Sequence, residues 1–324
     1  MDTSGSQHSY TWNADSWTSG LDFTCFSPWN SYFPSAPGDK GGTLISPRQF
    51  IFTKHFPFVV GNNIDFVTAD GQTVSRSVVA VTNVANTDLA IGLLDSDVPS
   101  GVMPASVLPA DYASYFPTDG TQIPVVRMAA AKTAGVWHST FAETTGATSA
   151  GMYTALDFTH PDSTLFPDRA AFSNTAVNGD SGSPCFIVLN GETVLVSLVT
   201  SGSDAMFNGP MVSAYIDGID QAMHDQDVAY SLDTSTYQLR VLDLSGMGYQ
   251  MPSQLTNAST TSTSLNTYTQ TSTSTPTVDS YQLASGCVVL AGSDLSNVAD
   301  VVFWVHSGGS WSAVSAEDTT IDAM

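Results

Sequence analysis

The chain has 324 residues, 42% of them hydrophobic, and sets eight Lys and Arg against thirty Asp and Glu for a formal charge of −22. That length accommodates one large or two modest domains around a substantial core. The charge excludes nucleic acid as a partner, because its phosphates are repelled by such a surface. Three widely spaced cysteines, Cys25, Cys185 and Cys287, exclude a disulfide framework and a metal cluster. One bridge or buried free thiols both stay open, and no cofactor or metal is expected.

No run of 18 apolar residues occurs, so no membrane span is expected. Met1-Asp2-Thr3-Ser4-Gly5 lacks the basic-then-apolar pattern of a signal peptide. Three routes stay open: action where the chain is made, release by lysis or another path, or prior removal of a leader. The expected setting is extracellular or particle-associated.

In chain order, residues 1–20 are polar with Trp12 and Trp17 and read as an extended arm. Strand material is expected at 21–26, a turn at 37–42 from its Pro and Gly content, then strands at 43–45 and 49–53. Further strands are expected at 64–68, 74–84, 89–94, 122–128, 154–159 and 183–189. Asn190-Gly191 then signals a hairpin into 193–200. Many short strands with regular turns imply a sandwich or barrel. The first helical spacing is 212–223, and 237–244 reads as a strand. After Arg240 no Lys or Arg occurs, while seven acidic residues remain. Residues 256–278 are a Ser/Thr-rich linker by composition, and 279–324 read as a small β module.

Chemistry is most legible in Asn178-Gly179-Asp180-Ser181-Gly182-Ser183-Pro184-Cys185. Its glycines let the backbone turn tightly and bring amide N–H groups to a small bound group. A serine hydroxyl held there can attack a carbonyl while the N–H groups of Gly179 and Ser181 converge on the oxygen that becomes negative. The plain alternative is a Gly/Asp/Ser-rich hairpin turn.

Several segments, in order, resemble the chymotrypsin-like (trypsin-fold) serine proteases over roughly residues 20–225. Gly41-Gly42-Thr43-Leu44-Ile45-Ser46-Pro47 is similar to the family's Gly-Gly-Ser-Leu-Ile-Ser strand. Phe52-Thr53-Lys54-His55-Phe56 falls where the family has Thr-Ala-Ala-His-Cys, and Thr87-Asp88-Leu89-Ala90-Ile91 resembles the segment carrying its aspartate. Gly179-Asp180-Ser181-Gly182-Ser183-Pro184 matches the nucleophile motif. Leu198-Val199-Thr200-Ser201-Gly202 stands where the substrate-binding Ser-Trp-Gly strand belongs, and Val212-Ser213-Ala214-Tyr215-Ile216 resembles the entry to the closing helix. The order His, Asp, Ser is the chymotrypsin order.

The resemblance implies an all-β fold of two antiparallel β-barrels of chymotrypsin-like type with a C-terminal helix, to which composition adds the small C-terminal β module. Together they divide the chain into a protease domain at 1–225 with its N-terminal arm, a connector at 226–255, the linker and the module. It implies a serine endopeptidase acting on protein or peptide substrates. Ser181 is the expected nucleophile, His55 the general base and acid, Asp88 the orienter, and the Gly179 and Ser181 N–H groups the oxyanion hole. His55 suits its role because it ends an apolar run; His138, His160 and His224, in loops or the helix, and the outlying His8 and His306 read as surface or structural.

By the family pattern Thr175 floors the primary pocket, so an uncharged P1 side chain is expected. Asn178, Ser201, Gly202 and Ser203 would flank the substrate on one side and Gly209 on the other. Phe56 replaces the family's cysteine, so the disulfide beside the histidine is absent, a loss of roughly 2–4 kcal/mol that packing must offset. In the family, Asp180's counterpart pairs with an α-amino group freed by cleavage. No Arg-Ile-Val-Gly-Gly-like site precedes the barrel, so Asp180 needs another partner, or the site forms without processing. A rival reading is a protease-fold binding or structural module on a particle or cell surface with weak or no catalysis. An assembly partner for the C-terminal module suits either.

Overall fold

Short apolar runs punctuated by turn residues pair here into two antiparallel-rich sheets. The computed structural model describes residues 12, 16–18, 20–30, 40–116, 120–129, 133–189, 191–244, 302–307 and 310–315. The expected linker, most of the C-terminal module and Cys287 lie outside the described residues.

The first sheet comprises β1 (Phe26–Asn30), β2 (Lys40–Leu44), β3 (Gln49–Thr53), β4 (Asn63–Val67), β5 (Thr73–Asn83) and β6 (Leu89–Leu94), in the order β1-β2-β3-β6-β5-β4. Its two end strands are tied together: Asn30 Oδ1 accepts the Asp65 N–H at 2.9 Å, and the Ser27 hydroxyl donates to the Asp65 carbonyl. This closes the sheet into a barrel. Every residue of β3 and β6 is buried, which explains why both read as nearly continuous apolar runs. Phe50, Phe52 and Phe58 form its aromatic centre, with ring centroids 5.1–5.4 Å apart.

The second sheet comprises β7 (Ser106–Val107), β8 (Ile123–Met128), β9 (Ala134–Ser139), β10 (Glu143–Thr148), β11 (Gly151–Thr159), β12 (Pro184–Leu189), β13 (Glu192–Leu198), β14 (Ser201–Gly202), β15 (Met206–Pro210) and β16 (Arg240–Val241). Its order is β14-β15-β11-β9-β8-β12-β13-β7-β16, with β10 on β11. The β12–β13 hairpin spans the expected Asn190-Gly191 position. A single-turn helix, α1 (Pro167–Ala170), lies between β11 and β12.

Past β15 a 3-10 turn, Val212–Tyr215, leads into α2 (Ile216–Ala229). The helix leaves the second barrel and docks on the first. Gln226 Nε2 donates to the Ile91 carbonyl at 2.9 Å, Gln49 Nε2 donates to Asp227 at 2.7 Å, and the Tyr230 hydroxyl donates to the Val79 carbonyl at 2.8 Å. The architecture is thus the two-barrel, chymotrypsin-like one with a closing C-terminal helix. A separate antiparallel pair, β17 (Val302–Ser307) with β18 (Ser310–Ser315), lies in the C-terminal region.

Several expectations need correction. The 37–42 turn gives way at Lys40, where β2 begins, and the helix expected at 212–223 starts and ends later. Residue 225, the expected end of the protease domain, falls inside α2. Downstream, β16 pairs in parallel with β7 and Leu244 is buried in the second core, so only a two-residue strand forms within 237–244. Of the expected arm, the Trp12 indole donates to the Thr68 carbonyl at 2.8 Å, and Trp17 packs edge-on to Phe172 at 6.2 Å.

Candidate active site at the barrel seam

Strand register brings the first two groups together. Thr53 at the end of β3 pairs with Leu89 at the start of β6, so the residues just beyond Thr53 lie opposite Asp88. The Lys54 N–H donates to the Asp88 carbonyl at 2.8 Å and the His55 N–H to Asp88 Oδ1 at 3.1 Å. Asp88 Oδ2 lies 2.5 Å from His55 Nδ1. The Asp88 side chain is 0% exposed and that of His55 20%, so the pair is largely shielded from water.

Ser181 comes from the other barrel. Its turn is stitched to the end of β13 by Gly182 N–H to the Val199 carbonyl at 2.9 Å and Val199 N–H to the Ser183 carbonyl at 2.8 Å. The Ser181 hydroxyl lies 2.8 Å from His55 Nε2. A carboxylate oxygen only accepts, so Nδ1 carries the ring proton and the Nε2 lone pair accepts from the serine hydroxyl. A hydroxyl, an imidazole and a carboxylate so aligned can withdraw a proton from the hydroxyl as it attacks an electrophile.

The backbone before Ser181 forms a tight turn in which the Asp180 N–H donates to the Val177 carbonyl at 3.0 Å. Gly179 takes φ +103°, a conformation that glycine adopts without steric cost. The Asp180 and Gly182 amides are used in these bonds. Among the described residues no acceptor takes the Gly179 or Ser181 N–H, and both residues line a cleft of about 410 Å³.

Asp180 finds its partner within the chain. Arg127 on β8 donates from Nη1 to Asp180 Oδ2 at 2.9 Å, with the two side chains 0% and 2% exposed. The Val177 N–H also donates to Asp180 Oδ2 at 2.9 Å. The second guanidinium nitrogen of Arg127 donates to Asn174 Oδ1 and to the Thr175 carbonyl, each at 3.0 Å. The fork therefore holds both the aspartate beside Ser181 and the segment leading to it. A signal for Arg127 was in the sequence: one charge inside the apolar run Ile123–Met128 must find a partner if the run is buried.

The cleft runs between residues 176–181 and 199–204, with Phe207 beneath. It includes the expected Asn178, Gly179, Ser181, Ser201, Gly202 and Ser203. Thr175 and Gly209 lie outside it. Thr175 is exposed, with its carbonyl on Arg127; Gly209 is buried in β15 opposite Leu156, where a Cβ would come 1.8 Å from the Leu198 carbonyl. Sequence reasoning missed Phe207, held against Trp137 at 4.6 Å and Phe158 at 4.7 Å, and Asp204 at the rim. It also missed Tyr153, whose hydroxyl bonds to Thr200 and to Asn208 Oδ1 behind the cleft wall and whose pKa burial raises.

The remaining histidines are placed as follows. His138 is on β9 rather than in a loop, buried, with its ring beside Arg169. His160 stacks on Trp137 at 4.1 Å, and His224 lies on α2. Cys25 and Cys185 are free, fully buried thiols outside the cleft, and burial raises both their pKa values above the ordinary range. Among the described residues no group of three His, Cys, Asp or Glu is placed to hold a metal ion, and no helix is long and apolar enough to cross a membrane.

No protein-family model and no curated protein matches the chain. Solved structures of the murine norovirus NS6 protease are similar to it. One is an inactive mutant with a C-terminal extension into NS7, at 15% identity and TM-score 0.36, covering 54% of this chain and 90% of that one. A chimeric inactive form gives 15% and 0.36, covering 54% and 89%. The NS6 protease from murine norovirus 1 gives 16% and 0.35, covering 54% and 86%.

Proposed function

We propose that the protein is a serine endopeptidase. The observation that carries this reading is the two-sided engagement of His55, 2.5 Å from Asp88 on one nitrogen and 2.8 Å from the Ser181 hydroxyl on the other. Ser181 Oγ attacks the scissile carbonyl carbon as His55 Nε2 takes the hydroxyl proton. The negative oxygen of the tetrahedral intermediate accepts from the Gly179 and Ser181 N–H groups. The C–N bond breaks as His55 returns the proton to the leaving amine, leaving an acyl ester on Ser181. A water molecule, deprotonated by the same imidazole, then attacks that ester, and the bond to Ser181 Oγ breaks as His55 returns the proton to it. Asp88 keeps the ring in the productive tautomer and stabilises its protonated form.

The uncharged P1 preference read from Thr175 finds its support elsewhere, in a lining of mostly polar but uncharged residues such as Asn178, Thr200, Ser201 and Ser203 beside the apolar Val199 and Phe207. Among the described residues Asp204 is the one charged lining residue, and it disfavours an acidic P1 group. We further propose a protease unit extending through Leu244, the 256–278 linker, and a C-terminal module that engages an assembly partner in an extracellular or particle-associated setting.

The test is a fluorophosphonate probe on the folded protein. Covalent labelling that disappears in Ser181→Ala supports the endopeptidase. Absence of labelling in the intact, folded chain overturns it and favours the binding or structural module.

A further inference from the structure

His160 joins the two sides of the cleft without lining it. Its Nε2 lies 2.5 Å from the Asp204 carbonyl oxygen, and its Nδ1 meets the Ser173 hydroxyl. A carbonyl oxygen only accepts, so Nε2 carries the proton and Nδ1 accepts from Ser173. Ser173 opens the stretch that becomes one wall, and Asp204 lies in the β14–β15 hairpin that forms the other.

The tip of that hairpin has little else to hold it. β14 is the edge of its sheet, residues 202–206 are all exposed, and the hairpin is closed by the Ser203 N–H donating to the Met206 carbonyl at 2.7 Å. Phe207 anchors β15 in the core, whereas the tip at 202–206 buries no side chain and is free to swing. The imidazole that restrains it is itself fixed. Its ring stacks 4.1 Å from Trp137, whose indole donates to Asn174 Oδ1 at 3.1 Å, the same oxygen that accepts from Arg127. The cleft width is therefore tied, through His160, to the buried frame that holds Asp180.

We propose that His160 is a positioning residue that sets the separation of the two cleft walls and thereby selects the P1 side chain, without taking part in the chemistry at Ser181. This rests on reading the cleft as the P1 site of the proposed endopeptidase.

The experiment compares the full chain with its His160→Ala and His160→Gln variants. It uses peptides differing only at P1, the second-order rate of fluorophosphonate labelling at Ser181, and amide exchange at residues 203–206. In His160→Ala, KM for the preferred P1 peptide rises about five-fold, the scale of one lost hydrogen bond. Discrimination between P1 residues flattens, exchange at 203–206 accelerates, and the labelling rate stays within about two-fold of wild type. Glutamine, which can both donate and accept, restores part of the discrimination. Unchanged P1 selectivity in His160→Ala overturns the proposal. So does a joint fall of selectivity and labelling, which marks a general structural role. If the wild-type chain takes no label, the endopeptidase reading fails by itself. Amide exchange still decides the brace, and unchanged protection at 203–206 overturns it.

Discussion

Gly41 and Gly182 meet across the seam between the barrels so closely that a Cβ on Gly41 would lie 3.0 Å from the Gly182 carbonyl oxygen, and one on Gly182 2.8 Å from that of Gly41. Gly182 follows Ser181, and Gly41 lies in the barrel that carries His55. The approach of these two backbones therefore sets the distance from hydroxyl to imidazole.

Gly41→Ala should move the Ser181 turn by a few tenths of an ångström. Since a misplacement of about 1 Å can cost about 10²-fold in rate, the expected loss in fluorophosphonate labelling is about ten-fold. Gly182→Ala should be worse, because Gly182 also takes φ +86°, a left-handed conformation that costs other residues about 1–2 kcal/mol. Labelling kinetics and thermal melts of both variants check this. Equal wild-type labelling in Gly41→Ala would count against the seam argument.

Arg127→Met and Asp180→Asn each leave one partner of a buried ion pair uncompensated. Each is expected to lose about 3–5 kcal/mol of stability. The double variant should lose less than the sum of the two, because neither charge is then stranded. Urea denaturation of the four proteins measures the coupling. Labelling at Ser181 should fall in both single variants even where they remain folded, since the Gly179 turn is built on Asp180.

His138 should stay neutral far below the usual histidine range. Burial, and then the neighbouring Arg169, lower its pKa from 6.5 to about 3. The ring donates from Nδ1 to Gln122 Oε1 at 3.2 Å and accepts at Nε2 from Arg169 at 3.4 Å. Below about pH 6.5 the unfolded chain binds a proton that the folded chain refuses, so this residue's contribution to stability is lost as pH falls from about 6.5 to about 3. An NMR titration should show the His138 ring signals constant from neutral pH until near that lower limit. A midpoint near 6.5 would contradict the assignment.

Ending the chain after residue 225 removes Gln226, Asp227 and Tyr230 from the first barrel and Leu239 and Leu244 from the core. At roughly 1 kcal/mol per hydrogen bond and roughly 1.5–3 kcal/mol per buried leucine, that loss rivals the whole stability of a domain. Ending it after Leu244 should preserve both melting temperature and labelling. Differential scanning calorimetry of the two shortened chains separates the outcomes.

Much of the site was legible because its residues sit beside strongly apolar strands. His55 follows β3, Asp88 precedes β6, and Ser181 precedes β12, and all three strands read clearly from their side chains. What the sequence hid has physical causes. Gly41 and Gly42 looked like a turn, yet both serve close approach within β2: a Cβ on Gly42 would come 2.8 Å from Ile64 and 2.9 Å from Phe50. β9, β10 and β15 mix glycine and polar residues with apolar ones, so neither period nor composition marks them. The shape of the cleft depends on the short β14–β15 hairpin and on what lies under it, which is why Thr175 and Gly209 fall outside and Phe207 within. The expected end at 225 cuts α2, whose contacts to β3, β5 and β6 have no local signature.

A partner of Asp180, Arg127, is a side chain of the same folded unit. On the proposed function, the guanidinium–carboxylate pair assembles as the second barrel closes, so folding of that barrel itself shapes the mouth of the cleft.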